Sequence, residues 1–242
     1  FETDPREIHQ ALKMIEAILF DLDGVVVFTD KYHYLAWKEI SDEQGWDFSE
    51  EINHACRGIP RMESLEVILR HNRVEISQEE KLALADEKNR RYVELLKNIS
   101  SDDIYPGVVA FLESVKQRGL RTGLCSSSRN AKLVLDSLGL SRWFDAVVTG
   151  GEIQNAKPDP EIFLLGAARL GIEPGRCVVF EDAPAGVASA LAAGMKCVGV
   201  GPRDLLTEAP EVITDYAGID LDALIETGAP GRRAAPLTLD SP

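Results

Sequence analysis

Apolar segments near residues 15–20, 121–125, 145–148, 176–180 and 196–200 alternate with stretches near 107–118, 130–138, 160–170 and 184–193 whose apolar positions recur at helical spacing. Short apolar runs separated by amphipathic helices predict a parallel sheet covered on both faces, an α/β, doubly wound, Rossmann-like architecture. The punctuation agrees. Gly119, Gly139, Gly171 and Gly194 fall where helices should stop, and Pro106 and Pro160 suit helix starts.

Between residues 29 and 100 the pattern changes, and no segment reads as a strand. Lys31 to Gln44 is helical, with Tyr34, Trp37 and Ile40 on one face, so Trp37 belongs to a local core rather than to a sugar platform. Arg61 to His71 continues the helical spacing through Met62, Leu65, Ile68 and Leu69. Ser77 with Glu80 forms a capping box that opens a long helix to about Ile99. The organisation predicted is an α/β core of residues 1–28 and 101–227 with an all-helical block, 29–100, inserted straight after the first strand. Its two crossings lie near Phe28-Thr29 and Ser100 to Ile104, an arrangement able to close over a site between the two parts. Residues 228–242, rich in Gly, Pro and Ala, predict a flexible tail. Met14 is a candidate start, which would make residues 1–13 an extension.

Composition narrows the class. A chain of 242 residues, 45% hydrophobic and 27% charged, can bury a sizeable core as an ordinary globular protein. No run approaches the roughly 20 apolar residues of a membrane span, and residues 1–13 lack the apolar core of a signal peptide. A net charge of −14 argues against a nucleic-acid partner. It also means that an anionic ligand needs a locally positive site. Cys56, Cys125, Cys177 and Cys197 are scattered without CxxC spacing, which predicts reduced thiols in a cytoplasmic protein and no zinc site. No exposed apolar stripe asks for a partner subunit, so a monomer is expected.

Asp21 and Asp23 follow the first apolar run two residues apart. Either the strand continues and they share a face, or it ends and they crown its edge. Like charges that close need a cation, a shared proton or separate roles. Three more polar patches fall at the expected C-terminal ends of strands: Ser126-Ser127-Ser128-Arg129-Asn130, Lys157-Pro158-Asp159-Pro160, and Glu181-Asp182. Together they offer a nucleophile, hydroxyls with backbone donors, a fixed ammonium and further acids. That set suits phosphoryl transfer to an aspartate assisted by Mg²⁺, which takes hard oxygen ligands.

In this order the four patches resemble the motifs of the haloacid dehalogenase superfamily over residues ~15–225, and the helical block resembles its cap. Thr29 to Lys38, Arg57 to Leu65, the pair Lys88-Asn89 and the Ser126–Asn130 patch are similar to the β-phosphoglucomutase family. That resemblance implies interconversion of β-glucose 1-phosphate and glucose 6-phosphate through a glucose 1,6-bisphosphate intermediate. It implies Asp21 as nucleophile and Asp23 as general acid and base. The Asp21 carboxylate, the Asp23 backbone carbonyl, Asp182 and Glu181 would hold Mg²⁺. Ser126, the Ser127 backbone and Lys157 would hold the phosphoryl group in transit; Arg61, Ser128, Arg129 and Asn130 would hold the distal phosphate. His33 and Lys88 would couple cap closure to Asp23. Thr29 lies at the hinge and Arg57-Gly58 over the sugar, while Ser64 either joins the substrate site or simply lies within its helix. Two positions depart from the family pattern: Phe28 stands at the hinge where an acid is usual, and Arg129 where some members carry Lys. A sugar phosphatase of the same superfamily is the competing expectation. A non-catalytic phosphosugar binder would have lost the nucleophile, and Asp21 is present.

Overall fold

In the computed structural model, which describes residues 14–232, strand β1 (Ala17–Phe20) is followed by four helices, α1 (Asp30–Gln44), α2 (Glu50–Ala55), α3 (Arg61–Asn72) and α4 (Gln78–Leu95). Helices and strands then alternate: α5 (Val108–Gln117), β2 (Arg121–Ser126), α6 (Ala131–Ser137), β3 (Ala146–Thr149), α7 (Glu161–Leu170), β4 (Cys177–Glu181), α8 (Pro184–Ala192), β5 (Lys196–Val200) and β6 (Glu211–Ile213). The described chain closes with β7 (Ile219–Asp220), α9 (Leu221–Thr227) and β8 (Gly231–Arg232).

The main sheet has six strands in the order β3-β2-β1-β4-β5-β6, and every pair is parallel. Its central strands are buried on both faces. Ile18 and Phe20 of β1 enter one cluster with Phe111, Val178 and Phe180, while Ala17 and Leu19 enter another with Phe163, Val179 and Val187. This two-sided burial is why those strands read as continuous apolar runs. The helical insertion has a third core of its own, built from Trp37, Ile40, Phe48, Ile52, Leu65, Ile68 and Leu69.

The two crossings between the parts are stitched side by side. Phe28 N donates to Asp103 O at 2.7 Å and Tyr105 N to Val26 O at 2.9 Å, flanking an antiparallel bridge between Val27 and Ile104. Buried Asp103 ties the start of α1 to this ladder by accepting from the Tyr32 hydroxyl at 2.8 Å and pairing with Lys31 at 2.5 Å. The Phe28 ring stacks on Tyr105 with centroids 4.6 Å apart, although Phe28 remains 43% exposed.

The structure departs from the sequence expectations in several places. Helix α2 and strand β6 were not foreseen. Helix α4 stops at Leu95 and a single 3₁₀ turn, Leu96–Asn98, completes the run. Strand β2 extends through Ser126, which is its last residue rather than the first of the following loop. The tail expected to be flexible from Gly228 is ordered at its start: Gly228 adopts a left-handed conformation to end α9, and β8 pairs antiparallel with β7. Residues 1–13 and 233–242 lie outside the described residues. All four cysteines are free. No helix of the described residues is long and apolar enough to cross a membrane.

Candidate active site

Strand β1 ends at Phe20, so Asp21 and Asp23 crown the C-terminal edge of the sheet. Because β1 lies between β2 and β4, the residues that end those strands, Ser126 and Glu181, arrive beside Asp21. Lys157, on the loop between β3 and α7, completes the centre. Its Nζ lies 2.5 Å from Asp21 Oδ1 and 2.7 Å from Glu181 Oε2, fully enclosed by protein. Burial works against the ammonium, but the charges of Asp21 and Glu181 outweigh it and hold the Lys157 pKa above the usual lysine value. Glu181 uses its other oxygen to accept the backbone N–H groups of Asp182 and Ala183, both at 3.1 Å. Burial, above all, raises the Glu181 carboxyl to about 7, against the pull of Lys157.

Carboxylate oxygens of Asp21, Glu181 and Asp182 lie within 4.8 Å of one another. Burial and then the neighbouring Glu181, Asp21 and Asp23 push the Asp182 carboxyl well above its ordinary range, the mark of acids gathered without enough positive charge. Two glycines make room for this crowding. Gly24 has φ +77°, and a Cβ there would sit 2.0 Å from Asp182 Oδ2. A Cβ on Gly186 would sit 2.0 Å from Glu181 Cδ. All-oxygen donors, surplus negative charge and this cleared space fit a hard divalent cation.

Asp23 turns away from that cluster. Its backbone N–H donates to Asp21 Oδ2 at 3.0 Å, and its own Oδ1 accepts the Thr29 hydroxyl. Burial and the Asp21 charge raise its carboxyl to about 7. Thr29, expected at the hinge, therefore also holds Asp23. His33 and Lys88 meet each other, Lys88 Nζ lying 2.6 Å from His33 Nδ1 and the imidazole stacking on Tyr92 at 4.2 Å, while the charges of Lys88 and Asp23 act on one another through space. Burial first, then the charges of Lys88 and Arg61, keep His33 well below its usual pKa.

The insertion covers this centre and encloses a cavity of about 700 Å³ lined by Asp21, Asp23, Asp182, Lys88, Arg61 and Arg129 among others. Gly58 reaches the core, where its carbonyl accepts the Ser127 hydroxyl at 3.3 Å and its α-carbon faces Ala183 too closely for a side chain. Arg57 is held bidentate by Asp30, at 3.2 and 2.7 Å. Arg61 donates to Ala85 O at 3.2 Å and to Asn89 Oδ1 at 2.8 Å, and the same Asn89 oxygen accepts Asn130 Nδ2 at 2.8 Å. Ser126 Oγ accepts the Ser128 N–H at 3.1 Å, and Ser128 Oγ the Asn130 N–H at 3.2 Å, which folds the patch into a tight turn. Ser64 lines the cavity, but its hydroxyl donates back to Pro60 O at 3.2 Å, serving its own helix.

A family model described as haloacid dehalogenase-like hydrolase matches residues 15–194. The chain belongs to that family. It is 38% identical to β-phosphoglucomutase of Bacillus subtilis over 88% of this chain and 95% of the relative. It is also 35% identical to a phosphorylated carbohydrates phosphatase of Thermotoga maritima over 75% of this chain and 83% of the relative. Among solved structures, β-phosphoglucomutase from Clostridium difficile superposes with a TM-score of 0.82 at 41% identity, covering 87% of this chain and 96% of that one. The protein is thus an enzyme of the haloacid dehalogenase-like family, with that family's parallel core and an inserted helical cap.

Several residues of this haloacid dehalogenase-like site carried no role on sequence grounds. Gly24 stands directly after the acid pair, and its place in that string was the available signal. Gly186, which clears space for Glu181, gave none; Asp30 and Asn89 appeared only inside the stretches that carry the family resemblance, because their partners Arg57 and Arg61 are distant in sequence.

Proposed function

We propose that the enzyme is a sugar phosphomutase that interconverts β-glucose 1-phosphate and glucose 6-phosphate through an aspartyl-phosphate and glucose 1,6-bisphosphate. The observation that carries this reading is that cations stand at two separate places around the cavity, one behind Asp21 and one on the cavity wall. Lys157 stands at Asp21, and Arg61 stands tied through Asn89 to Asn130, with Arg129 on the same wall. A mutase holds two phosphates at once, whereas a phosphatase needs one anion site.

In this reading Asp21, phosphorylated by the trace bisphosphate, passes its phosphoryl group to the free hydroxyl of glucose 1-phosphate while Asp23 takes that hydroxyl's proton, giving glucose 1,6-bisphosphate. The freed Asp21 carboxylate then attacks the other phosphorus, the bond from that phosphorus to the sugar oxygen breaks, and Asp23 gives the leaving oxygen its proton, which releases glucose 6-phosphate and restores the aspartyl-phosphate. Ser126, the Ser127 backbone and Lys157 would hold the phosphoryl oxygens; Ser128, Arg129, Asn130 and Arg61 would hold the distal phosphate. Asp21, Asp182, Glu181 and the Asp23 carbonyl would hold Mg²⁺, which neutralises charge on the transferring group when bound. Closure of the insertion keeps the aspartyl-phosphate from water. The four unpaired cysteines fit a cytoplasmic location.

The test is product analysis. With β-glucose 1-phosphate, Mg²⁺ and a trace of glucose 1,6-bisphosphate, glucose 6-phosphate is expected with little free phosphate. Free phosphate as the main product would establish the competing reading, a hexose-phosphate phosphatase. Arg61→Ala separates the two further, since it is expected to depress mutase turnover far more than hydrolysis of a small phosphate ester.

A further inference from the structure

Two arginines four residues apart face the same cavity, and they are held in opposite ways. Arg57 lies in a bidentate pair with the Asp30 carboxylate, so its charge is cancelled locally. Arg61 touches only neutral oxygens, the Ala85 carbonyl and the Asn89 amide, which lie one turn apart on α4. A guanidinium offers donors only, so Asn89 must turn its oxygen toward Arg61. The same oxygen takes the Asn130 amide from the core. One atom therefore joins the Arg61 guanidinium to the Asn130 side chain and makes a contact between insertion and core.

Holding a cation with a neutral acceptor keeps its charge available. Burial first, and then Arg129, destabilise the charged Arg61, and Lys88 adds like charge close by. Asp86, on the same cavity, offsets part of this charge through space, but Arg61, Arg129 and Lys88 still gather there in a chain whose net charge is −14. An anionic ligand would relieve their mutual repulsion. An aspartate in place of Asn89 would keep the size and the acceptor but cancel the charge, as Asp30 does for Arg57.

We propose that Asn89 is the positioning residue of the second anion site, presenting Arg61 and Asn130 with undiminished charge to the distal phosphate dianion of a phosphorylated sugar. This rests on the mutase reading for the identity of the ligand, but its test does not depend on turnover. Glucose 1,6-bisphosphate binding is measured by isothermal titration for the full chain as wild type, Asn89→Ala and Asn89→Asp, with thermal melting recorded for each.

Asn89→Asp retains both hydrogen bonds, so its melting temperature should match or exceed that of the wild type. Its affinity should nevertheless fall by about 10- to 100-fold, the worth of a charge-assisted contact. Asn89→Ala loses the placement but not the charge, and should fall less. A merely structural Asn89 predicts the reverse order, with the aspartate near wild type and the alanine worst. That order, or unchanged affinity in both variants, overturns the proposal. Should wild type release only free phosphate from β-glucose 1-phosphate, the mutase reading fails, and the affinity ranking still decides the role of Asn89.

Discussion

Replacing Lys88 by methionine is expected to stabilise the fold while disabling the site. Lys88 is 3% exposed, with its amine 2.6 Å from His33 Nδ1, 4.7 Å from the centre of the Tyr92 ring and 5.5 Å from that of Trp37. Burial, and then the like charge of Arg61, lower its pKa from 10.5 to about 7. Each unit is worth about 1.4 kcal/mol, so carrying the ammonium in the folded state costs about 5 kcal/mol. Methionine fills similar space without charge. Against that gain stand one hydrogen bond and two cation–π contacts, together about 2–4 kcal/mol. The net expectation at pH 6 is a gain of about 1–3 kcal/mol, or roughly 2–10 °C in melting temperature for a chain of this size. The pH dependence fixes the cause. The unfolded amine keeps its proton up to its ordinary pKa, while the folded one loses it near 7. Between those values the unfolded state binds more protons, so wild-type stability rises with pH. The penalty is full below pH 7 and has vanished above about 10.5, so the advantage of Lys88→Met should shrink across that window and end in a deficit. Urea and thermal melts of both proteins from pH 6 to pH 10 read this directly. A variant less stable at pH 6, or a difference that ignores pH, would refute the electrostatic account of this amine.

Gly24→Ala should displace Asp182, since the new Cβ would lie 2.0 Å from its Oδ2 at a φ of +77°. The expected result is a Mg²⁺-dependent rise in melting temperature that needs about 10- to 100-fold more metal; an unchanged Mg²⁺ titration would remove Asp182 from the ligand set. Phe28→Ala deletes the 4.6 Å stack on Tyr105 that joins the two crossings, an interaction worth about 0.5–1.5 kcal/mol. Under the proposed mutase reaction, a hinge biased toward opening should let more bisphosphate escape per turnover and raise KM while the melting temperature barely moves; an unaltered escape fraction would show that the stack does not govern closure.

How much of this was legible in the sequence depended on whether a feature is local. The parallel strands announced themselves because both faces are buried, so β1, β2, β4 and β5 read as apolar runs, with glycines ending the helices between them. Strand β6 did not, for it is a three-residue edge strand with only Ile213 buried, and the two-residue β7 and β8 are too short to show any period. Helix α2 is six residues of mostly polar character, and its one local signal was the Ser49 cap. The acids and the lysine were visible as strand-end motifs, and the sheet order brought them together as the doubly wound pattern requires. Charge state was not visible. Nothing between Arg57 and Arg61 in the chain says that one meets a carboxylate and the other a carboxamide, because Asp30 lies 27 residues before the first and Asn89 28 residues after the second. The sequence lists the cations of a site; the tertiary partners decide which of them still has charge to offer a substrate. In this cavity that decision separates Arg57, whose charge meets the Asp30 carboxylate, from Arg61, which hydrogen-bonds only to neutral oxygens.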